Sequence, residues 1–557
     1  MITDRSKWTR NEVIKEANPT LAGSIPQTLA DAALDRFAED DTQFLKFHGI
    51  YQQDDRDLRK SGKKYMFMVR GRLPGGVVSP DVYLVFDRLA TDHGNHTLRI
   101  TSRQGFQFHG VVKSGLGPLM KGINLALSTT LAACGDVNRN VMAPPTPATG
   151  PLMEGVHEDA RLLSDALLPS TTAYHQIWVE GTLLDLKEDP GFEDPLYGKT
   201  YLPRKFKTAF AIPPLNDSDV FTNCLGFVAI GEGDQLQGYN LLVGGGMGMS
   251  HGNQETFPRL ADVIGFFKRD QIEPIAKAVL TIHRDYGDRT NRKHARLKYV
   301  LEDKGVEWFR QELANRVGAA LEPAREVRFT RQGDLFGWHR QQDGRWFLGL
   351  YVPAGRIKDV EGGPRLKSAL RQITESCRTE MRLTPTQNLL LVDVEESRRG
   401  QIDGILRDHG VPVTDQATPV ELASMACPAL PTCGLALAES ERALPDILAR
   451  LNQLLGEVGL PDDEVIVRMT GCPNGCARPF MAEIGIVGRA PNKYHVYLGG
   501  NEASTRLNRI FKENVKNEEL VETLRPVLKR FAAERQGGER FGDWCARSLW
   551  TESEAAN

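Results

Sequence analysis

The sequence predicts an α+β protein made of two related halves, each with mixed sheets flanked by helices, facing one another across a pseudo-twofold axis. Three observations carry this reading. Strand-like and helix-like segments alternate along most of the 557 residues. Arg99-Ile-Thr-x-x-Gln104 recurs as Arg382-Leu-Thr-x-x-Gln387, a shift of 283 residues. Three further segments return in the same order. Gly71-Arg-Leu-Pro-Gly-Gly76 is echoed by Tyr351-Val-Pro-Ala-Gly355, Phe227-Val-Ala-Ile-Gly231 by Ile484-Gly-Ile-Val-Gly488, and Tyr239-Asn-Leu-Leu-Val-Gly-Gly245 by Tyr494-His-Val-Tyr-Leu-Gly-Gly500. Recurrence that keeps its order over such a distance is duplication, and the period is too long for a solenoid. The interface between two such halves is a natural place for a cofactor.

Residues 1–64 read as a polar lead-in with short helices, one around Ile25–Phe37. Lys64–Arg72 is strand-like and runs into Leu73-Pro-Gly-Gly76, and a helix follows over 80–93. Residues Leu98–Gly110 partly alternate polar and apolar, as one strand would, which puts Arg99, Thr101, Arg103, Gln107 and His109 on one face. Such a face suits a ligand rich in carboxylates, or else a solvent-facing edge. Further helices are expected over 116–133 (stopped at Gly135), 155–168, 271–285, 294–317 and 518–535. Strands are expected over 174–180, 206–213, 224–230 and 239–243. Leu444, Ile447, Leu448, Leu451 and Leu455 form a helical stripe that reads as core, and the tail after 548 reads as frayed.

A formal net charge of -3 excludes general nucleic-acid binding, which needs a basic surface. No run of apolar residues is long enough to span a bilayer, and the charged N-terminal stretch does not read as a secretory signal. Eight cysteines in a chain this long are no disulfide scaffold, and Cys134, Cys224, Cys377 and Cys545 are expected to be reduced. A cytoplasmic location is expected from this usage.

The remaining four cysteines are paired. Cys427-Pro-Ala-Leu-Pro-Thr-Cys433 is C-x5-C, Cys472-Pro-Asn-Gly-Cys476 is C-x3-C, and 38 residues separate the pairs. Four soft thiolates suit an iron–sulfur cluster. Zinc is the alternative, although a five-residue gap fits structural zinc knuckles poorly.

A cluster only moves electrons, so cations able to hold an anionic substrate were sought. Arg72 lies in a Gly/Pro-rich loop, Arg139 in Gly135-Asp-Val-Asn-Arg-Asn140, and Lys205 and Lys207 in Tyr201-Leu-Pro-Arg-Lys-Phe-Lys207. Each lies where a loop meets a regular element. Taken singly, each also reads as a solvated surface charge. Gly244-Gly-Gly246-Met-Gly248 lacks the residues of a P-loop or a dinucleotide fingerprint and reads as close backbone packing. The chain shows no flavin or nicotinamide site of its own.

These motifs together resemble the sirohaem and iron–sulfur family of sulfite and nitrite reductases, from about Phe44 to Cys545. The resemblance implies a 4Fe-4S cluster held by Cys427, Cys433, Cys472 and Cys476, with Cys476 also the axial ligand of sirohaem. It implies substrate binding by Arg72, Arg139, Lys205 and Lys207, with Arg99, Thr101, Arg103, Gln107, His109 and Asn474 near the sirohaem. It also implies an N-terminal extension (1–64), a ferredoxin-like domain assembled from 65–133 and 335–410, and two sirohaem-binding α+β domains (134–334 and 411–557), the second holding the cluster. The activity implied is assimilatory six-electron reduction of sulfite to sulfide for cysteine synthesis. Electrons would come from a partner, either an NADPH-dependent flavoprotein subunit or ferredoxin. Nitrite reduction to ammonia is the enzymatic alternative, and an iron–sulfur electron carrier or zinc-binding module the non-enzymatic one.

Overall fold

A computed structural model describes residues 4–147, 150–171, 177–179, 182–184, 191–413 and 417–550. The duplication is directly visible in it. One five-stranded sheet runs, in spatial order, Ile50–Asp54, Tyr65–Arg70, Phe106–Val111, Leu98–Ile100 and Arg356–Ile357. Its counterpart runs Gly337–Arg340, Trp346–Leu350, Leu389–Val394, Glu380–Leu383 and Val77–Val78. Each sheet thus ends in a two-residue strand lent by the other, with Arg356 opposite Arg99 and Val78 opposite Met381. The exchange covers an edge that would otherwise expose unpaired backbone groups.

The exchange depends on close approach at two matched glycines. A Cβ on Gly76 would lie 2.5 Å from Leu383 O and 2.9 Å from Gln104 Cβ, and one on Gly355 would lie 2.5 Å from Ile100 O and 3.0 Å from Gln387 Cβ. Both glycines have positive φ, 74° and 72°, which any side chain would resist. Helices Pro80–His93 and Leu366–Cys377 pack together beneath the sheets, and Lys367 and Arg371 converge on buried Asp87 at 3.0 and 2.5 Å.

The second pair of sheets repeats the same logic. Thr208–Ala211 is parallel to Leu225–Glu232, which continues antiparallel to Gln235–Val243 and Asp262–Lys268. Ser424–Ala426 and Val467–Thr470 are parallel to each other and to Ile484–Ala490, which continues antiparallel to Lys493–Leu498 and Arg509–Lys516. The echoes at 227–231 and 484–488, and at 239–245 and 494–500, begin on equivalent strands. Helix Leu444–Glu457 buries Leu444, Ile447, Leu448, Leu451 and Leu455, so its stripe is core.

Several expected elements are shorter or broken. Leu98–Gly110 is a hairpin, because Gln104 at φ 53° reverses the chain and its amide donates to Gly75, Ala143 and Leu383 carbonyls. The helix expected over 116–133 is Lys113–Leu125, and Leu127 at φ 54° and Ala132 at φ 56° mark the irregular run that follows. Gly305 at φ 83° divides 294–317 into Leu297–Lys304 and Val306–Val317. The first expected helix shrinks to Ile25–Ala30. Of 174–180, only Ile177–Val179 is described, as a strand paired with Thr182–Leu184, and the tail beyond 550 lies outside the described residues.

Gly76→Ala and Gly355→Ala should each destabilise the protein by at least about 1–3 kcal/mol, the usual cost of forcing a side chain into this backbone region. Denaturant titration of the two variants should give similar losses, because the two sites are equivalent.

Candidate active site

The cysteine loops leave the C-terminal ends of two adjacent parallel strands, Ser424–Ala426 and Val467–Thr470, where Ala426 lies opposite Met469. Ligand-bearing loops gather at this end of parallel sheets. The Cys427 N–H donates to Met469 O at 3.2 Å, and the Gly471 N–H reaches back to Cys427 Sγ at 3.3 Å. Only glycine fits at 471, since a Cβ would meet Ala438 O at 2.4 Å. Asn474 Nδ2 donates to Cys472 Sγ at 3.5 Å. Cys427 and Cys472 are buried, Cys433 is half-buried, and Cys476 is exposed.

Burial, and then the neighbouring thiols, push Cys427 and Cys433 above the ordinary thiol value and Cys472 up to about 12. Metal binding here therefore has to release protons. Among the described residues, no three His, Cys, Asp or Glu side chains are gathered to hold a single ion. Zinc would need all four sulfurs about 2.3 Å from one centre. A cubane takes one cysteine on each iron and so accepts a wider set of sulfurs than a single zinc ion does.

Opposite the cysteines stand cations. Lys205 and Lys207 lie just before strand Thr208–Ala211, and neither ammonium has a hydrogen bond or ion pair among the described residues. Burial pushes both well below the ordinary lysine value. Neighbouring cations add to this, Arg204, Arg139 and Arg296 for Lys205, and Arg103, Lys205 and Arg296 for Lys207; Cys476 opposes it in each case. The Arg139 guanidinium donates to Gly135 O at 3.2 and 3.3 Å and lies beside Tyr51 and Cys134. Arg103 donates to Asn223 Oδ1, Asn140 O and Thr208 O at 2.7–2.9 Å, and burial brings it down to about 9.

Arg72 does not join this group. Its guanidinium is 3% exposed and donates to Ser164 Oγ at 3.1 Å, Ser164 O at 2.6 Å and the Ala132 and Asn138 carbonyls. The cation at the site is Arg70, two residues earlier, at the end of strand Tyr65–Arg70. Arg70 is half-buried, its Nη1 lies 3.0 Å from Cys134 Sγ, and its charge acts on Arg103, Tyr51 and His109. Tyr51, beside Arg139, completes this edge of the site and carries no motif that would mark it in sequence.

The other expected residues divide the same way. Arg70, Gln107, Arg99 and Arg356 lie opposite one another across four strands, so they share a sheet face. With its amide oxygen turned toward Arg70, Gln107 accepts from Nη2 at 2.6 Å and Nε at 3.2 Å. His109 lies 3.4 Å from the Gln107 amide, and burial beside Arg356, Arg99 and Arg70 keeps its imidazole neutral. Arg99 is not free for a ligand's carboxylates, because it pairs with Glu441 at 3.1 Å and donates to Ala426 O at 2.9 Å, next to Cys427. Thr101 Oγ1 accepts the Arg103 and Gly105 amides and serves the hairpin turn.

Ion pairs and backbone contacts join the two halves at this point. Asp219 Oδ2 accepts from Arg468 at 2.7 Å and from Arg478, while Arg478 also donates to Ser102 O at 3.0 Å and Pro385 O at 2.9 Å. Ser102 Oγ in turn donates to Cys476 O at 2.9 Å. A cavity of about 420 Å³ lined by Arg331, Asp334, His339 and Arg468 contains none of the site cysteines or lysines.

Fold and site together define a redox protein built around a cysteine-held iron–sulfur centre. A family model described as nitrite and sulphite reductase 4Fe-4S domain matches residues 158–321 and 421–552, and one described as nitrite/sulfite reductase ferredoxin-like half domain matches 59–126 and 339–409. The chain belongs to this nitrite and sulfite reductase family. It is 49% identical over 96% of its length to a sulfite reductase (NADPH) hemoprotein beta-component of Myxococcus xanthus, covering 96% of that protein. It is 47% identical over 97% of its length to the protein of the same name from Chromohalobacter salexigens, covering 95% of it. The fold is shared with the NirA protein of Mycobacterium tuberculosis, at a TM-score of 0.77 and 23% identity over 97% of this chain and 96% of that one.

Arg70→Ala should weaken sulfite binding by about tenfold or more, the usual effect of losing a charge-assisted contact, with little change in melting temperature. Arg72→Ala should instead cost about 1–3 kcal/mol of stability by leaving buried carbonyls unpaired. Sulfite titration followed by visible absorption, together with denaturant unfolding, separates the two.

Proposed function

We propose that the chain is the haemoprotein component of an assimilatory sulfite reductase, reducing sulfite to sulfide with six electrons and feeding cysteine synthesis. One observation carries the reading: two lysines without anionic partners face the single exposed cysteine of a four-thiol site. The names of its near-full-length relatives support sulfite over nitrite. Cys427, Cys433, Cys472 and Cys476 would hold the 4Fe-4S cluster, with Cys476 also available to the sirohaem iron. Bound there, the two groups supply the electrons and the metal at which sulfur is reduced.

The chain's own residues do the rest. Arg70, Arg139, Lys205 and Lys207 receive a dianion that would be costly to bring beside electron-rich metal groups, and favour negative charge developing on departing oxygens. Lys205 and Lys207 are also the proton donors. Lysines held well below their ordinary value give up a proton more readily than solvent-exposed ones. Arg103, Gln107 and His109 order the wall beside Arg70, and Asn474 steadies Cys472.

No helix among the described residues is long and apolar enough to cross a membrane. Electrons come from a partner protein, and we take it to be a flavoprotein subunit using NADPH, because the relatives are named as NADPH-dependent beta-components, with ferredoxin the other candidate. Steady-state assays of purified holoenzyme with each donor and with sulfite and nitrite test the reading. A kcat/KM larger for nitrite would overturn the substrate assignment.

The lysine assignment has a pH signature. An acid whose pKa lies well below 10.5 loses its proton as pH rises through that lowered value, so turnover should fall on the alkaline side before ordinary lysines titrate. In Lys207→Arg, which keeps the charge but not the titration, that alkaline limb should move or disappear. An unchanged profile would remove Lys207 from proton delivery.

A further inference from the structure

Cys476 belongs to the second half of the molecule, and Lys205 and Lys207 to the first. The distance between them depends on how the halves are docked, and a short buried segment, Ala295–Lys298, controls one side of that docking. Lys298 is fully buried, and its ammonium donates to Gly246 O at 3.2 Å, Gly248 O at 3.1 Å and Phe257 O, with the Tyr299 ring 4.8 Å away. Burial, and then the Arg296 charge, bring this amine down to about 6, and three converging carbonyls with an aromatic face are the contacts that hold it where water is excluded. Two residues earlier, Arg296 Nη2 contacts Cys224 Sγ at 3.3 Å and Gly245 O at 3.5 Å. Although burial opposes it, Arg296 holds the Cys224 thiol below its ordinary value.

Both side chains therefore bond Gly244–Gly248, whose neighbours reach both sides of the site. On the lysine side, Cys224 Sγ lies 3.9 Å from Lys205 O, and the next residue's amide donates to Lys207 O at 3.0 Å. On the cysteine side, Met249 N–H donates to Pro473 O at 2.9 Å, within the Cys472–Cys476 loop. A Cβ on Gly248 would lie 3.3 Å from Asn474 O, and one on Gly475 would lie 3.2 Å from Met247 O. Met247 also inserts among Phe480, Met481 and Val487 of the second half. The glycines let two backbones touch, and Arg296 and Lys298 bond the carbonyls of the first of them from the other side.

We propose that Arg296 and Lys298 are positioning residues, a clamp that holds the glycine loop of the first half against the cysteine loop of the second and so fixes Cys476 relative to Lys205 and Lys207. The clamp is tested at Lys298 and Gly248, because Arg296 also adds its charge to Lys205 and Lys207. It rests on the proposed function only in what it positions, and its mechanical claim stands apart from that reading.

The test uses holoenzyme of the wild type, of Lys298→Met and of Gly248→Ala; the last leaves both side chains intact and wedges the same contact with one methyl group. Amide hydrogen exchange should quicken about tenfold or more in both 244–249 and 471–476 in each variant, although these stretches are far apart in sequence. Turnover per haem with a reduced dye should fall about tenfold or more, while the KM for sulfite stays within about twofold. Faster exchange confined to 244–249, or unchanged turnover per haem, would overturn the proposal. If Lys298→Met does not fold, Gly248→Ala carries the test alone. If wild-type holoenzyme prefers nitrite, the substrate reading fails and the exchange result still decides the clamp.

Discussion

The parallel pairing of Ser424–Ala426 with Val467–Thr470 is the constraint from which the site follows. It delivers two loops side by side from the same end of one sheet, with the Gly471 amide reaching a sulfur of the other loop at 3.3 Å. Had the strands been antiparallel, the two cysteine pairs would have left opposite ends of the sheet. The C-x5-C and C-x3-C spacings only make sense once that geometry is fixed.

Electrostatics divides along the same interface. The second half brings Cys427 and Cys472, thiols that burial and their neighbours keep protonated until metal takes them. The first half brings Arg70, Arg103, Arg139, Lys205 and Lys207, a concentration of like charge that burial makes costly. The cations are costly alone, and the thiols become the matching negative charge only once metal has taken their protons. A cluster held by four deprotonated thiolates and an anionic substrate are the partners that make both tolerable, so the charge pattern supports the same reading as the cysteine count.

Much of this was legible in the sequence, for physical reasons that can be stated. Cysteine spacing survives folding because ligands to one centre must be local in pairs, and the duplicated segments kept their order because both halves kept their sheets. Helix Pro80–His93 matches the helix expected over 80–93, and Ser79 caps its start by accepting the Val82 amide. The choice between Arg70 and Arg72 was not, because residues two apart share a strand face only while the strand lasts, and this one ends at Arg70. Nor was the hairpin at Gln104, since its reversal uses a glutamine at positive φ held by three carbonyls from distant segments. Strand exchange between the halves leaves almost no trace, because the lent strands are two residues long.

Duplication also explains how the halves are joined. Asp219 and Arg478 occupy equivalent places, each a left-handed residue (φ 47° and 51°) that begins a single helical turn before the strand leading out of it. They bond to each other. Two like charges at these equivalent places would repel in a buried site. One acid and one base make that contact an attraction, and Arg468 adds a second guanidinium to Asp219 at 2.7 Å. The same asymmetry then extends outward: the half bearing Arg478 carries the cysteines, and the half bearing Asp219 carries the lysines. Two copies of one fold can build a single site only if they stop being interchangeable, and the contact at the pseudo-axis is where that difference is written most plainly.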